Sequence, residues 1–213
     1  MWDIKVVLLD LGNVLLEFSH LPIGQGLARY SKDPLFSDPQ EVIRYLFKDK
    51  PAAEDPFDEG RLSPMEFFQK ISEHMGLSVS FQEFSTIWNS IFRERPGARD
   101  LVRILKGRVA LHLLSNTNVL HFQHCLIQFP WLRELDSWFL SYEMGIKKPH
   151  PRLYDLVLES LGCRPQEILY LDDIQENLMP AAKLGFRTCW VRPEASLEGL
   201  VRPWLPGLPW GSP

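Results

Sequence analysis

The stretch KVVLLDLGNV, residues 5–14, joins a short apolar run to an acidic residue. The run Val6-Val7-Leu8-Leu9 shows no polar alternation, which is typical of a strand buried on both faces of a parallel sheet. Asp10 follows at once, and Gly12 stands two residues later. The stretch therefore predicts the first strand of a parallel sheet and makes Asp10 a candidate nucleophile at the end of that strand.

Similar apolar runs at 109–114 and 168–171 end in small polar or acidic residues, and a further run of similar character lies at 188–191. Between them lie segments with helical spacing and a glycine stop, at 97–106, 152–161 and 177–184. In the last of these segments, we expect Pro180 in the first helical turn. Strands that alternate with helices predict an α/β fold, a Rossmann-like doubly wound parallel sheet.

The region after the first strand breaks this alternation. It contains proline-rich joints and helix-like stretches at 39–47, 63–75 and 81–92. We therefore expect an inserted α-helical cap at 16–95 and an α/β core formed by 1–15 plus 96–205. Residues 206–213 are rich in Pro and Trp and are predicted to form an extended tail.

Composition excludes several classes of protein. The chain has 213 residues, 45% of them hydrophobic, enough for one sizeable core. Its 23 basic and 27 acidic residues include no basic run, so nucleic acid is not an expected partner. No apolar stretch approaches the ~20 residues of a membrane span. The three cysteines lack metal-site spacing and the N-terminus lacks a signal-peptide pattern, so the expected location is the cytoplasm; the sequence does not indicate an oligomeric state.

The carboxyl ends of neighbouring parallel strands open into one crevice, so the residues that end each run should converge there. These residues are the acidic Asp10, Asp172 and Asp173 and the polar Ser115 and Asn116, with Lys148 on a loop between runs. Two carboxylates can hold Mg²⁺, and the Ser115 hydroxyl and the Lys148 ammonium can stabilise a transferring phosphoryl group. Asp10 could then attack phosphorus and form an aspartyl phosphate.

In this order, Asp10, Ser115, Lys148 before Pro149 and the pair Asp172-Asp173 resemble the four motifs of the haloacid dehalogenase superfamily. The resemblance covers nearly the whole chain, with residues 15–95 in the place of a helical cap. The stretches DLGNV, SNTNVLH, GIKKPHPRLY and LDDIQENLMPAAKLG are similar to bacterial sugar-phosphate phosphatases, particularly those acting on α-D-glucose 1-phosphate. The last stretch also resembles the phosphatase domain attached to some epoxide hydrolases.

The resemblance implies a role for each motif residue. Asp10 would be the nucleophile, and Asp10 and Asp173 would be side-chain ligands of Mg²⁺. The backbone carbonyl of Gly12 would be a further ligand of Mg²⁺. Asp172 would either support the metal ligands without binding the ion directly or cap the next helix. Ser115, Asn116 and Lys148 would bind the substrate phosphate, and His121 is a further candidate for substrate binding. Lys147 is expected to be a solvated surface lysine, and His112 to lie in or beside a strand, away from the site.

Most phosphatases of this superfamily have an aspartate in the position of Gly12, where it protonates the leaving group. Its loss should cost about 10²- to 10⁴-fold in rate unless something replaces it. Three explanations remain open. The substrates have good leaving groups, another residue such as Glu17 or His121 supplies the acid, or turnover has been lost and binding kept.

The expected function is therefore a magnesium-dependent phosphatase that hydrolyses a small phosphorylated metabolite, a sugar phosphate, through an aspartyl phosphate. One alternative is a silent phosphometabolite-binding protein, because Gly12 lacks a side chain. The other is a haloacid dehalogenase, in which the aspartate attacks carbon. That reaction needs no metal, so the acidic pair at 172 and 173 counts against it.

Overall fold

The computed structural model describes residues 3–210 of the chain. Its strands are β1 (Val6–Leu9), β2 (Leu16–Phe18), β3 (Phe92–Glu94), β4 (Ala110–Ser115), β5 (Ser137–Leu140), β6 (Ile168–Asp172) and β7 (Arg187–Trp190). Five of them form one parallel sheet of order β5-β4-β1-β6-β7, and β2 pairs antiparallel with β3. The predicted parallel sheet is confirmed.

The insertion between β2 and β3 is helical. Its helices are α1 (Leu21–Ala28), α2 (Pro39–Ile43), α3 (Asp55–Asp58), α4 (Pro64–Met75) and α5 (Phe81–Trp88). A π-helical segment, Arg44–Lys48, continues α2, and a 3₁₀ turn spans Leu35–Ser37. The aromatic core of this cap includes Phe67, whose ring centroid lies 4.5 Å from that of Phe57 and 4.9 Å from that of Trp88.

The other helices flank the sheet. They are α6 (Ala98–Leu105), α7 (Val119–Gln128), α8 (Ser141–Met144), α9 (Pro151–Leu161), α10 (Gln175–Leu184) and α11 (Leu197–Val201), with 3₁₀ turns at Pro130–Glu134 and Pro165–Glu167. Side chains of β1 alternate between two hydrophobic clusters. Val7 and Leu9 pack with residues of α6 and α7, whereas Leu8 packs with Tyr154 of α9 on the opposite face. The sheet is therefore doubly wound, as predicted.

Strand register brings the candidate residues to one edge. Leu9 of β1 is paired with Leu113 of β4 on one side and with Leu171 of β6 on the other. Asp10 is the next residue after β1, and Asp172 ends β6. The central position of β1 thus places Asp10 between the ends of its two neighbouring strands.

Several local predictions need correction. The helix α10 begins at Gln175, so Pro180 lies inside it and not in its first turn. The expected helix at 81–92 ends at Trp88, and Phe92 instead begins β3, where it pairs with Phe18 of β2. The edge strand β5 was not predicted.

The numerical boundaries of core, cap and tail remain predictions. Of the expected tail 206–213, residues 211–213 lie outside the described residues. The indole of Trp210 donates a hydrogen bond to the Leu205 carbonyl and packs on the core. Within residues 3–210, no helix has the length and apolar character needed to cross a membrane.

The cap helix α4 begins with a reciprocal capping box between Ser63 and Glu66. The Glu66 backbone N–H donates to the Ser63 hydroxyl, and the Ser63 N–H donates to the Glu66 carboxylate. Ser63→Ala is expected to lower the free energy of unfolding by about 1 kcal/mol, because the helix loses a capping acceptor. Chemical denaturation followed by circular dichroism measures it.

Ser72→Ala in the same helix is the matched control. The Ser72 hydroxyl is buried without a hydrogen-bond partner among the described residues, so its removal should leave stability unchanged or slightly higher. If Ser63→Ala and Ser72→Ala lowered the free energy of unfolding equally, the Ser63 hydroxyl would not be the N-cap of α4.

Candidate active site

A cavity of about 280 Å³ lies at the carboxyl edge of the sheet, beneath the cap. The core contributes Asp10, Gly12, Ser115, Asn116, Lys148 and Asp173 to its wall, whereas the cap segment contributes Phe18, His20, Glu54, Asp58, Ile91 and Phe92. The predicted motif residues therefore meet in one place. The cavity can hold a small polar molecule.

Asp10 is buried, with 6% of its surface exposed. Its Oδ1 atom accepts a hydrogen bond from the Leu11 backbone N–H at 2.7 Å and lies 2.8 Å from the Lys148 Nζ atom. Burial raises the pKa of Asp10 to about 7, and the nearby Lys148 ammonium opposes that shift. A bound cation would oppose it further, so Asp10 would attack as a carboxylate.

Lys148 is the cation at the centre of the site. Its ammonium contacts Asp10, lies 2.7 Å from the Asp172 Oδ2 atom and donates to the Leu114 carbonyl at 3.0 Å. These negative partners keep its pKa above the usual value although burial acts in the opposite direction. The lysine is therefore charged and held in one position.

Three carboxylates could surround a cation. Oxygen atoms of Asp10, Asp172 and Asp173 lie within 4.8 Å of one another. Asp172 is already engaged, because its oxygens accept hydrogen bonds from Tyr170, Asn177 and the Ile174 backbone as well as from Lys148. A set of carboxylate and carbonyl oxygens fits Mg²⁺, which prefers hard oxygen ligands.

The loop after β1 is shaped by Asn13, which has a left-handed backbone with φ of 52°. Its side-chain amide donates a hydrogen bond of 3.0 Å to Asp173 Oδ2, and its carbonyl accepts one from Arg95. These contacts tie the Asp10 loop to the Asp173 loop.

Ser115 ends β4 with its side chain buried at the cavity wall. Asn116 also lines the cavity, but its amide forms two hydrogen bonds with the Lys148 backbone, of 2.9 and 2.7 Å. The Asn116 side chain therefore holds the Lys148 loop in place. Its substrate-binding role stays a prediction.

Gly12 faces an aromatic ring. A Cβ atom on Gly12 would lie 2.7 Å from the Phe18 Cε1 atom, inside contact distance. Phe18 thus occupies the space that a side chain at this position would need. An aspartate at this position would require the Phe18 ring to shift, and Gly12 itself has no side chain that could donate a proton.

Glu17 cannot be that donor in this structure. It lies on β2 with an exposed side chain and lines a second cavity together with Arg95 and Pro193. Because strand residues alternate in direction, Phe18 points towards Asp10 and Glu17 points away. The acid–base role predicted for Glu17 is therefore wrong for this arrangement.

His121 lines the cavity, but both of its ring nitrogens are occupied. Nε2 lies 3.0 Å from the Trp88 carbonyl, so it carries the proton, and Nδ1 lies 3.3 Å from the Asn118 amide. Burial lowers the pKa of His121 to about 3. The ring packs on Trp88 as a neutral structural group, which argues against the predicted binding or acid role.

Sequence reasoning missed the cap side of the site. Lys147, expected to be a solvated lysine, is mostly buried and lines the cavity. Its Nζ atom lies 2.8 Å from Asp55 and 3.3 Å from Asp58. The acidic run around residues 54–59 was a visible signal, but nothing in the sequence indicated that it faces the Lys147 loop.

The sequence profile of the haloacid dehalogenase-like hydrolase family matches residues 4–185 of the chain. A parallel sheet, a helical cap and an aspartate after the central strand all agree with that match. The chain belongs to the haloacid dehalogenase-like hydrolases.

Two relatives are enzymes by name, one a phosphatase and the other a bifunctional epoxide hydrolase. The chain is 32% identical to a D-ribitol-5-phosphate phosphatase from Bacteroides thetaiotaomicron over 139 residues, which cover 62% of this chain and 67% of that one. It is 28% identical to the bifunctional epoxide hydrolase 2 of Rattus norvegicus over 91% of this chain. The alignment covers only 37% of that longer protein.

A solved structure agrees with the fold. A crystal structure of a family enzyme from Bacteroides thetaiotaomicron, in complex with magnesium and inorganic phosphate, superposes with a TM-score of 0.83. The match covers 93% of this chain and 100% of that one, at 27% identity.

Proposed function

We propose that this hydrolase is a magnesium-dependent phosphatase acting on a small phosphorylated sugar or polyol. The observation that carries the proposal is the meeting of Asp10, Ser115, Lys148 and Asp173 at one cavity beneath the cap. The carboxylates supply a nucleophile and hard ligands, and Lys148 supplies positive charge for a phosphate. The named activity of the Bacteroides relative supports a phosphorylated polyol as the substrate class.

Asp10 would attack phosphorus and form an aspartyl phosphate, while the leaving oxygen departs towards the cap. Ser115 and Lys148 would hold the phosphate oxygens during this transfer. Asp10, Asp173 and the Gly12 carbonyl would hold Mg²⁺, with Asp172 behind them orienting Lys148. When bound, the cation would neutralise phosphate charge and favour attack by a carboxylate.

The size and polarity of the cavity support a hydroxylated leaving group. Its cap wall carries Glu54, Asp58 and His20 beside the apolar Phe18 and Phe92. Polar groups of this kind can accept hydrogen bonds from hydroxyl groups and donate hydrogen bonds to them.

The three cysteines are free thiols, which supports the expected cytoplasmic location.

The test is phosphate release from D-ribitol 5-phosphate, α-D-glucose 1-phosphate and 4-nitrophenyl phosphate, with Mg²⁺ and with a chelator. We expect turnover of at least one ester that stops on chelation and returns with Mg²⁺. Ligand binding without turnover would favour the silent binding protein that Gly12 suggests. Chelator-resistant halide release from a haloacid would favour a dehalogenase.

A second measurement addresses the metal ligands. Asp173→Asn should raise the Mg²⁺ concentration for half-maximal activity at least about 10-fold, because one anionic ligand is lost. A Mg²⁺ titration of the rate measures this. Glu176→Gln, an exposed residue three positions later, is the control and should leave the titration unchanged. If Asp173→Asn and the native enzyme needed the same Mg²⁺ concentration for half-maximal activity, Asp173 would not be a metal ligand.

A further inference from the structure

The cap segment around α3 is fastened to the core beside the catalytic loop. Lys147 pairs with Asp55 and Asp58, and the Asn118 amide donates a hydrogen bond of 3.0 Å to Asp58. Both core residues lie next to motif positions, since Lys147 precedes Lys148 and Asn118 follows the Ser115 loop. These contacts hold the residue that precedes α3, Glu54, at the wall of the cavity that contains Asp10.

The reaction needs an acid on this side of the cavity. When the P–O bond of an alkyl phosphate breaks, the leaving alkoxide is a strong base and needs a proton. Gly12 cannot provide one, and the Phe18 ring fills the space beside it. The donor must therefore be another titratable side chain that lines the cavity.

The histidines of the cavity are poor candidates. His121 has both ring nitrogens engaged, as described above. The His20 ring stacks on Phe47 with centroids 3.7 Å apart, and burial lowers its pKa to about 4. Each ring is neutral near pH 7, and a neutral imidazole is a weak acid.

Lys147 and Asp58 are committed to each other. The Lys147 ammonium has two carboxylate partners, and the carboxylates hold its pKa above the usual value, so it keeps its protons. Asp58 accepts hydrogen bonds at both oxygens, one from Asn118 and one from Lys147. Burial raises the pKa of Asp58, but a proton on either oxygen would break one of these hydrogen bonds, so the arrangement favours a carboxylate.

Glu54 differs from all of these groups. No hydrogen bond within the described residues 3–210 engages its carboxyl group, although the residue lines the cavity. Burial and the neighbouring charges of Asp58 and Asp55 raise its pKa well above the ordinary value, with Lys147 in opposition. The raised pKa favours the protonated form of Glu54, and among residues 3–210 its carboxyl group has no hydrogen-bond partner.

We propose that Glu54 of the cap is the general acid and base of the phosphatase, in place of the residue that Gly12 lacks. The inference rests on the function proposed above. Docking of α3 on Lys147 and Asn118 then does more than cover the substrate, because it brings the proton donor to the leaving group. Opening of the cap would remove the acid from the site along with the substrate.

The reaction would proceed in two steps, formation and hydrolysis of an aspartyl phosphate. An Asp10 oxygen bonds to phosphorus, the bond to the ester oxygen breaks, and that oxygen keeps the electron pair and takes the proton of Glu54. A water molecule in the place of the departed alcohol then attacks phosphorus and gives a proton to the Glu54 carboxylate. The bond between phosphorus and Asp10 breaks, so phosphate leaves and both side chains return to their first state.

The test compares Glu54→Gln with the native enzyme on two esters, in the presence of Mg²⁺. With a sugar or polyol phosphate, whose alkoxide needs a proton, kcat should fall by about 10²- to 10⁴-fold. With 4-nitrophenyl phosphate, whose phenolate leaves without a proton, the rate of the pre-steady-state burst of 4-nitrophenolate should change by less than about threefold. Its steady-state kcat should fall, because water attack on the aspartyl phosphate loses its base. The matched control is Glu59→Gln, whose carboxylate pairs with Arg61 outside the cavity and should leave both rates unchanged.

The outcomes are distinguishable. A burst of 4-nitrophenolate that slows as much as sugar-phosphate turnover would make Glu54 a structural residue of the cap and overturn the proposal, and unchanged turnover of both esters would also overturn it. Persistent Mg²⁺-dependent hydrolysis of 4-nitrophenyl phosphate by Glu54→Gln would show that the phosphatase function stands in either case. A native enzyme that hydrolyses neither ester would refute the proposed function itself and Glu54's role with it.

Discussion

Asp10→Asn is expected to lower phosphate release by at least about 10⁴-fold, because an amide cannot attack phosphorus as a carboxylate does. The substitution keeps the shape of the side chain. Lys148 retains its ion pair with Asp172 at 2.7 Å, so the fold should survive. The measurement is kcat on the best ester of the panel, together with a thermal unfolding curve that checks folding.

Asp100→Asn is the control for this experiment. Asp100 lies on α6 with an exposed carboxylate paired to Arg103, far along the chain from the motifs. Its loss should leave kcat unchanged. If folded Asp10→Asn retained activity within about tenfold of the native enzyme, Asp10 would not be the nucleophile.

Lys148→Met is expected to lower the free energy of unfolding by about 3–5 kcal/mol, because it leaves two buried carboxylates without their cation. Asp10 and Asp172 lie 2.8 and 2.7 Å from the Lys148 ammonium, and no more than 9% of either carboxylate side chain is exposed. Phosphate release should be lost as well. Urea denaturation measures the stability, and added Mg²⁺ should restore part of it by supplying positive charge near Asp10.

An exposed ion pair provides the comparison. Lys106 lies 3.0 Å from Glu134 at the surface, and Lys106→Met should cost less than about 1 kcal/mol. If Lys148→Met were no more destabilising than Lys106→Met, the buried carboxylates would not depend on Lys148 for their charge balance.

The core of the site could be predicted from sequence for a simple physical reason. Continuous apolar runs identify strands buried on both faces, and parallel strands end at the same edge. Asp10, Ser115 and Asp172 each end such a run, so their meeting followed from strand direction alone. His112, expected beside a strand and away from the site, lies within β4 and contacts Ser137.

The cap could not be predicted in the same way. Its contribution depends on which face of the β2–β3 strand pair and of the one-turn helix α3 meets the core, and tertiary contacts decide both. Glu17 and Phe18 are neighbours in sequence, yet only Phe18 lines the main cavity. Glu54 and Lys147 are 93 positions apart in the sequence, yet both line the same cavity.

The most direct test of the account is chemical trapping of the aspartyl phosphate. The enzyme is mixed with Mg²⁺ and its best ester, quenched in acid during turnover and reduced with borohydride, which converts an aspartyl phosphate to homoserine. Peptide mass spectrometry should find homoserine at position 10, and only when both Mg²⁺ and the ester are present. Turnover with an unmodified Asp10, or trapping at a different residue, would contradict the proposed mechanism.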